Sequence, residues 1–310
     1  MTATKVESLL DRHFEDEVHM GQSLALIVVD RDGRTLAERY GPSAGPDVPL
    51  ISWSMAKSIA HLAVGVLVGE GALSLSDDHL VDRWADDERA TITLDHLLRM
   101  TDGLAFVEDY VDGEASDTIE MLFGRGADDI VTFAADRPLA APPGTRWSYS
   151  SGTTNLLADV ASRAAGGLRG EAWGSWLAKR VFMPAGMASA EPRFDALGAW
   201  VASSYVYATA ADFARFGLVY LQDGAAIVDP AWVQHARTPT AGVTEPGRGY
   251  GAQWWRWPDR PHWLVAQGYE TQRTIVDFER DLVAVRLGKT PQELGGEHVD
   301  AWLRELLDAL

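Results

Sequence analysis

Ser54-Met55-Ala56-Lys57 sets a hydroxyl and a primary amine three residues apart. The apolar stripe that follows, Ile59, Leu62, Ala63, Val66 and Leu67, predicts a helix stopped by Gly69 and Gly71. Positions i and i+3 share a helix face, so the amine of Lys57 comes within reach of the Ser54 hydroxyl. The chain has four lysines (Lys5, Lys57, Lys179 and Lys289) against 23 arginines, and only Lys57 has a serine three positions before it. Arginine keeps its proton inside proteins whereas a buried lysine can lose it, so the pair is suited to a nucleophile and its base. Seventeen serines and four lysines would give roughly 0.2 such matches by chance. The tetrapeptide alone therefore leaves a surface lysine in an ordinary first helical turn as an equal alternative.

Working outward, residues 4–18 alternate charged and apolar side chains at helical spacing (Val6, Leu9, Leu10, Phe14), which predicts an amphipathic opening helix. Ser23–Asp30 and Thr35–Tyr40 read as two strands joined at Asp32-Gly33. From Leu73 to about Tyr220 the pattern is mostly helical, with helices expected to start within residues 91–98 and end at Asp102-Gly103, to run from Asn155 to Ala165 and from Ala210 to Leu221. After Tyr250 the period returns to strands at Gln253–Trp257, Trp263–Gln267, Arg273–Asp277 and Leu282–Leu287, and a last amphipathic helix carries Val299, Leu303, Leu306 and Leu307. The expected fold is α+β, an α/β sandwich with an antiparallel sheet flanked by terminal helices. Residues 1–72 and 221–310 supply the sheet, 73–220 form a helical inserted subdomain, and the site lies between them.

The 310 residues include no cysteine, which excludes disulfides and thiolate chemistry, and 46% are hydrophobic, ample for a packed core. A net charge of −18 argues against nucleic acid or an anionic membrane as partner. No basic n-region or run of 18 apolar residues is present, so the chain reads as cytoplasmic unless a leader has been trimmed. The eight histidines lack metal-ligand spacing, and neither metal nor cofactor is expected. Gly-x-Ser-x-Gly is absent, which disfavours an α/β-hydrolase elbow.

Further segments give the tetrapeptide a context. Thr91-Ile92-Thr93-Leu94-Asp95-His96-Leu97-Leu98-Arg99-Met100-Thr101-Asp102-Gly103-Leu104 is one; Pro143-Gly144 through Tyr149 to Asn155-Leu156-Leu157 is another; Val181 to Met187 and Thr209 to Gly217 follow. In this order, from Ser54 to about Leu287, the chain resembles the serine β-lactamase and penicillin-binding-protein superfamily. The likeness is to its class C-like branch, which includes esterases, D-amino acid peptidases and 6-aminohexanoate-dimer hydrolases. The resemblance implies a β-lactamase-like fold and a serine hydrolase in which Ser54 is acylated and Lys57 and Tyr149 move its proton. Without that context Tyr149 reads first as a buried core tyrosine. The resemblance also implies an oxyanion hole from the backbone N–H groups of Ser54 and Tyr269.

Two positions depart from the family pattern. Tyr149-Ser150-Ser151 stands where Tyr-x-Asn is usual, and Ala266-Gln267-Gly268 stands where a lysine or histidine opens the third motif. Loss of that cation weakens a penicillin-recognising reading, β-lactamase or D-amino acid peptidase, and favours cleavage of small esters or amides. A non-catalytic binding relative of the fold is the alternative from a different class. Ser151, Gln267, Gly268, Trp255 and, as a lid residue in the acidic loop, Tyr110 are expected to touch substrate. Trp254, Trp255, Trp257 and Trp263 read first as core and sheet packing, with a wall of the acyl pocket as a second role for Trp255 and Trp257, which share a strand face. Homo-oligomerisation is left open.

Overall fold

The computed structural model describes residues 3–109 and 116–310. Helix α1 (Ala3–Glu15) and the short α2 (Glu17–Met20) divide the helix expected over 4–18, because Asp16 leaves helical geometry and its carboxylate accepts the His19 N–H. Strands β1 (Gln22–Asp30) and β2 (Thr35–Tyr40) form the hairpin, and β3 (Leu50–Ile51) leads into α3 (Met55–Gly69). The middle of the chain supplies α4 (Leu94–Leu98), α5 (Asp117–Phe123), α6 (Ile130–Ala135), α7 (Ser151–Ala164) and α8 (Gly170–Leu177). Strand β5 (Val206–Ala208) pairs on one side with β3 and on the other with β4 (Glu191–Pro192), and α9 (Ala210–Leu221) and α10 (Pro230–Arg237) follow. Then come β6 (Gly249–Tyr250), β7 (Trp255–Trp257), β8 (Arg260–Gly268), β9 (Gln272–Asp277) and β10 (Leu282–Lys289), and α11 (Glu297–Ala309) ends the chain.

Among the described residues, seven strands form one antiparallel sheet in the order β2-β1-β10-β9-β8-β7-β6, so the two ends of the sequence meet where β1 pairs with β10. Period-2 alternation explains why β1 reads as a continuous apolar run. Ala25, Ile27 and Val29 pack toward α3 and α9, while Leu26 and Val28 pack toward α1 and α11, so both faces are covered. On the terminal-helix face, His13 stacks on Trp302 with centroids 3.8 Å apart and hydrogen-bonds Ser23 Oγ at 2.8 Å.

Helix α3 is buried along nearly its whole length, and its polar side chains Lys57, Ser58 and His61 are buried with it. His61 bonds the Tyr220 hydroxyl at 2.8 Å and faces His235, which in turn bonds Asp95 at 2.7 Å. Trp232 lies against the helix backbone and donates its indole N–H to the His61 carbonyl at 3.0 Å. Gly65 permits that approach: a Cβ there would sit 2.2 Å from the indole nitrogen. Gly65→Ala should therefore force the indole away and cost about 1–3 kcal/mol, read as a lowered urea midpoint at unchanged m-value.

Burial, reinforced by the nearby Arg286 charge, lowers the His13 pKa from 6.5 to about 3, and burial likewise carries His61 well below its ordinary value. Both are neutral in the folded chain and take up protons when it unfolds at mildly acid pH. Their contribution is complete above pH 6.5 and declines as pH falls below it, by about 1.4 kcal/mol per pH unit for each group, for His13 until about pH 3. Urea unfolding at pH 7.5 and 5.5 should show this drop, and His13→Gln should reduce it by about 1.4 kcal/mol; an undiminished drop in that variant refutes the assignment.

Candidate active site

Trp53 enters α3 in the left-handed region (φ 44°), a strained conformation for a residue with a Cβ, and its indole N–H is held by Glu270 Oε2 at 2.9 Å. Ser54 follows as the N-cap residue, yet its side chain makes no capping bond and faces Lys57 instead. The Lys57 side chain is 1% exposed. Its Nζ lies 2.9 Å from Ser54 Oγ, 3.0 Å from Ser151 Oγ and 2.9 Å from the Ser203 carbonyl. Burial lowers the amine to about 8, against an opposing pull from the Glu108 carboxylate.

Tyr149 adjoins the same group. Its ring centroid is 4.9 Å from Lys57 Nζ, and Ser54 and Trp255 lie close enough to its hydroxyl to favour the ionised form. Desolvation, reinforced by Glu108, raises the pKa of the phenol. Trp255 packs on the ring with centroids 4.9 Å apart, and Tyr250 meets it edge-on. Tyr149 is thus a half-buried residue of the pocket wall, not of the core.

Helix α7 begins at Ser151, four residues earlier than the sequence suggests, because Ser150 Oγ accepts the Thr153 N–H and caps it. This places Ser151 in the first turn, where its N–H and hydroxyl donate to the two oxygens of Glu108 at 2.6 and 2.7 Å. Thr118 Oγ1 donates to Glu108 Oε2 at 3.0 Å. Asn155, one turn further on, accepts the Ser203 N–H at 3.0 Å and so places the carbonyl that Lys57 uses.

The opposite wall comes from the end of β8. A Cβ on Gly268 would lie 2.3 Å from the Ser52 carbonyl, so only glycine lets this strand run against the segment entering α3. Ser54, Gln267, Gly268 and Tyr269 consequently line one pocket of about 270 Å³, together with Arg248 and Glu245. It adjoins a cleft of about 720 Å³, which shares Tyr149, Trp255 and Glu245 and adds Glu108, Asp109 and Arg146. Ala266 is buried in the core. Arg248 does lie at the pocket, but its guanidinium is paired with Asp300 and stacked on Trp257.

Ser54, Lys57, Tyr149, Ser151, Trp255, Gln267, Gly268 and Tyr269 therefore converge. Tyr110 lies outside the described residues. Trp257 takes the core-packing role and does not join Trp255 in the pocket. Strand β7 starts at Trp255, its pairing with β8 shifts register between the two residues, and Trp257 is buried against Trp263 at 5.5 Å beneath the terminal helices. Glu108, Ser203, Glu245 and Arg248 were not anticipated. Only Glu108 carried a signal, as the first residue of the acidic loop in which Tyr110 was singled out.

The chain is similar to several known proteins. The chain is 26% identical over 286 residues to the 6-aminohexanoate-dimer hydrolase of Paenarthrobacter ureafaciens, covering 86% of this chain and 72% of that protein. It is 28% identical over 212 residues to the esterase EstB of Burkholderia gladioli, covering 61% and 53% respectively. The octameric penicillin-binding protein homologue of Pyrococcus abyssi shares the fold, with a TM-score of 0.73 at 19% identity over 98% of this chain and 78% of that one. No helix among the described residues is long and apolar enough to cross a membrane. The beta-lactamase family model matches residues 10–309, and the chain belongs to that family.

Proposed function

We propose that this chain is a serine hydrolase that is acylated on Ser54 and cleaves small ester or amide bonds. The observation that carries the reading is the buried Lys57 amine 2.9 Å from Ser54 Oγ, with a pKa of about 8. At that value a substantial fraction of the amine is neutral near physiological pH and able to accept a proton.

The reaction runs in two halves. Ser54 Oγ attacks the substrate carbonyl carbon while its proton passes to Lys57, giving a tetrahedral oxyanion facing the backbone N–H groups of Ser54 and Tyr269. Collapse breaks the bond to the leaving alcohol or amine, which takes a proton delivered from Lys57 through the Tyr149 hydroxyl. Water then attacks the acyl carbon, giving up its proton by the same route, and releases the acid and Ser54. Trp255 and Tyr149 offer an apolar wall for the substrate.

The pocket charge favours neutral or cationic substrates. Glu108, Asp109 and Glu245 line the cleft with Arg146, and Arg248 shares the Asp300 carboxylate with Arg273. Without an unpaired cation at Ala266, the strand offers no counterion for a substrate carboxylate. The names of the two curated relatives, an amide hydrolase and an esterase, support the same substrate class.

Fluorophosphonate labelling with p-nitrophenyl acetate turnover tests the reading: wild type should be labelled and turn over, and Ser54→Ala should do neither. A wild type that resists labelling would leave the non-catalytic alternative. Lys57→Arg keeps the charge but removes the base, so kcat/KM should fall about 10²–10⁴-fold. For wild type, kcat/KM should rise with pH through about 8, because Lys57 accepts protons only when deprotonated. A hemisuccinate ester should be at least about tenfold poorer than the matching acetate, and added salt should narrow the gap.

A further inference from the structure

Lys57 has three hydrogen-bond partners at its amine: the hydroxyls of Ser54 and Ser151 and the carbonyl of Ser203. A protonated amine satisfies all three with its three N–H groups. A neutral amine has two N–H groups and one lone pair, and the lone pair needs a donor. Ser203 offers only an acceptor, so Ser54 and Ser151 are the two hydroxyls competing for the lone pair. Pointing at Ser54 makes Lys57 a base for the nucleophile, whereas pointing at Ser151 wastes it.

The Ser151 hydroxyl has one proton, and Glu108 Oε1 lies 2.7 Å from it. The ionised carboxylate only accepts, so it takes that proton and leaves Ser151 an acceptor toward Lys57. We infer that Glu108 is a positioning residue that orients the Ser151 hydroxyl and thereby directs the lone pair of neutral Lys57 onto Ser54. This rests on the reading of Ser54 and Lys57 as nucleophile and base. Glu108 acts through Ser151 and does not touch the reacting atoms.

The placement of Glu108 suits the task. Its Oε2 accepts the Ser151 N–H at 2.6 Å in the first turn of α7, where unpaired N–H groups and the positive helix end favour an anion. That backbone N–H also decides what an amide would do in its place. In Glu108→Gln the amide oxygen must face the Ser151 N–H and the Thr118 hydroxyl, which both donate. The amide NH₂ is then left against Ser151 Oγ as a donor. The Ser151 proton turns toward Lys57 and captures its lone pair.

Glu108 has a second effect that can be measured separately. Its charge supports the protonated amine, so removing it makes Lys57 easier to deprotonate. Tyr149 also faces the amine, and Arg248 faces Ser54 across the pocket; both are unchanged in the variants. Glu108→Gln should therefore lower the high-pH plateau of kcat/KM while moving its acid limb to lower pH, a pairing that loosened packing would not produce.

The experiment measures p-nitrophenyl acetate kcat/KM against pH for wild type, Glu108→Gln, Ser151→Ala and the double variant, with fluorophosphonate labelling of Ser54 in each. Expected for Glu108→Gln is a plateau about 10–100-fold lower, within the range general-base alignment contributes, with slowed but retained labelling. In the Ser151→Ala background no hydroxyl competes for the lone pair, so Glu108→Gln should shift the limb and leave the plateau within about twofold, a strong non-additivity. An unchanged plateau in Glu108→Gln, or a loss of equal size in both backgrounds, overturns the inference while Ser54 labelling in wild type keeps the hydrolase reading intact. Absence of labelling in wild type overturns both.

Discussion

Burial of one primary amine is the constraint on which the site depends. Lys57 is buried on a helix packed into the core, and removing an ammonium from water is costly unless each of its protons finds an acceptor. The acceptors come from three separate stretches: α3 itself, the first turn of α7, and the loop before β5. Two of the three are fixed by a further contact, Ser151 by Glu108 and Ser203 by Asn155. The same desolvation that demands these partners lowers the pKa of the amine, so stability and reactivity have one source.

A second constraint is close backbone approach. The end of β8 can lie against Ser52 only because residue 268 has no side chain, and the turn beyond it holds Glu270 and Thr271 at φ 56° and 62°. Buried Arg286 braces that turn through the Glu270 and Thr271 carbonyls, while Glu270 reaches back to the Trp53 indole. Strained residues on both sides of Ser54 are thus tied to each other and to the sheet. The pocket wall inherits the rigidity of the sheet rather than the freedom of a loop.

Much of the fold was legible. The hairpin, the strands after Tyr250 and the helices with clear apolar stripes follow from period and turn residues, and Ala210–Leu221 matches to the residue. The misplaced boundaries have local causes. Ser150 caps α7 early, Asp16 breaks the first helix, and Met100 at φ 60° closes α4 after five residues. Trp257 packs in the core as its composition suggests but not on the face of Trp255, because strict alternation assumes an unbroken ladder and the register shift in β7 sends it to the other layer. In the site, residues carried by motifs were legible, since Ser54, Lys57, Tyr149 and Gly268 owe their identities to spacing or to steric need. Ser203 and Arg248 were not, because one contributes a carbonyl that any residue could supply and the other replaces nothing at its own position.

By itself, the sequence determined the pairing of hydroxyl and amine on one helical turn, because i and i+3 adjacency is a property of the helix alone. It also determined the two-sided burial of the sheet, through apolar runs too continuous for a solvated face. Tertiary structure decided the ionisation of the amine and the charge of the cleft. Those depend on how far water is excluded and which carboxylates arrive from segments distant in the chain, with Glu108 reaching Ser151 across 43 residues and Asp300 pairing Arg248 across 52. Local spacing sets which atoms can meet along one element, but desolvation and charge are summed over everything that packs around them.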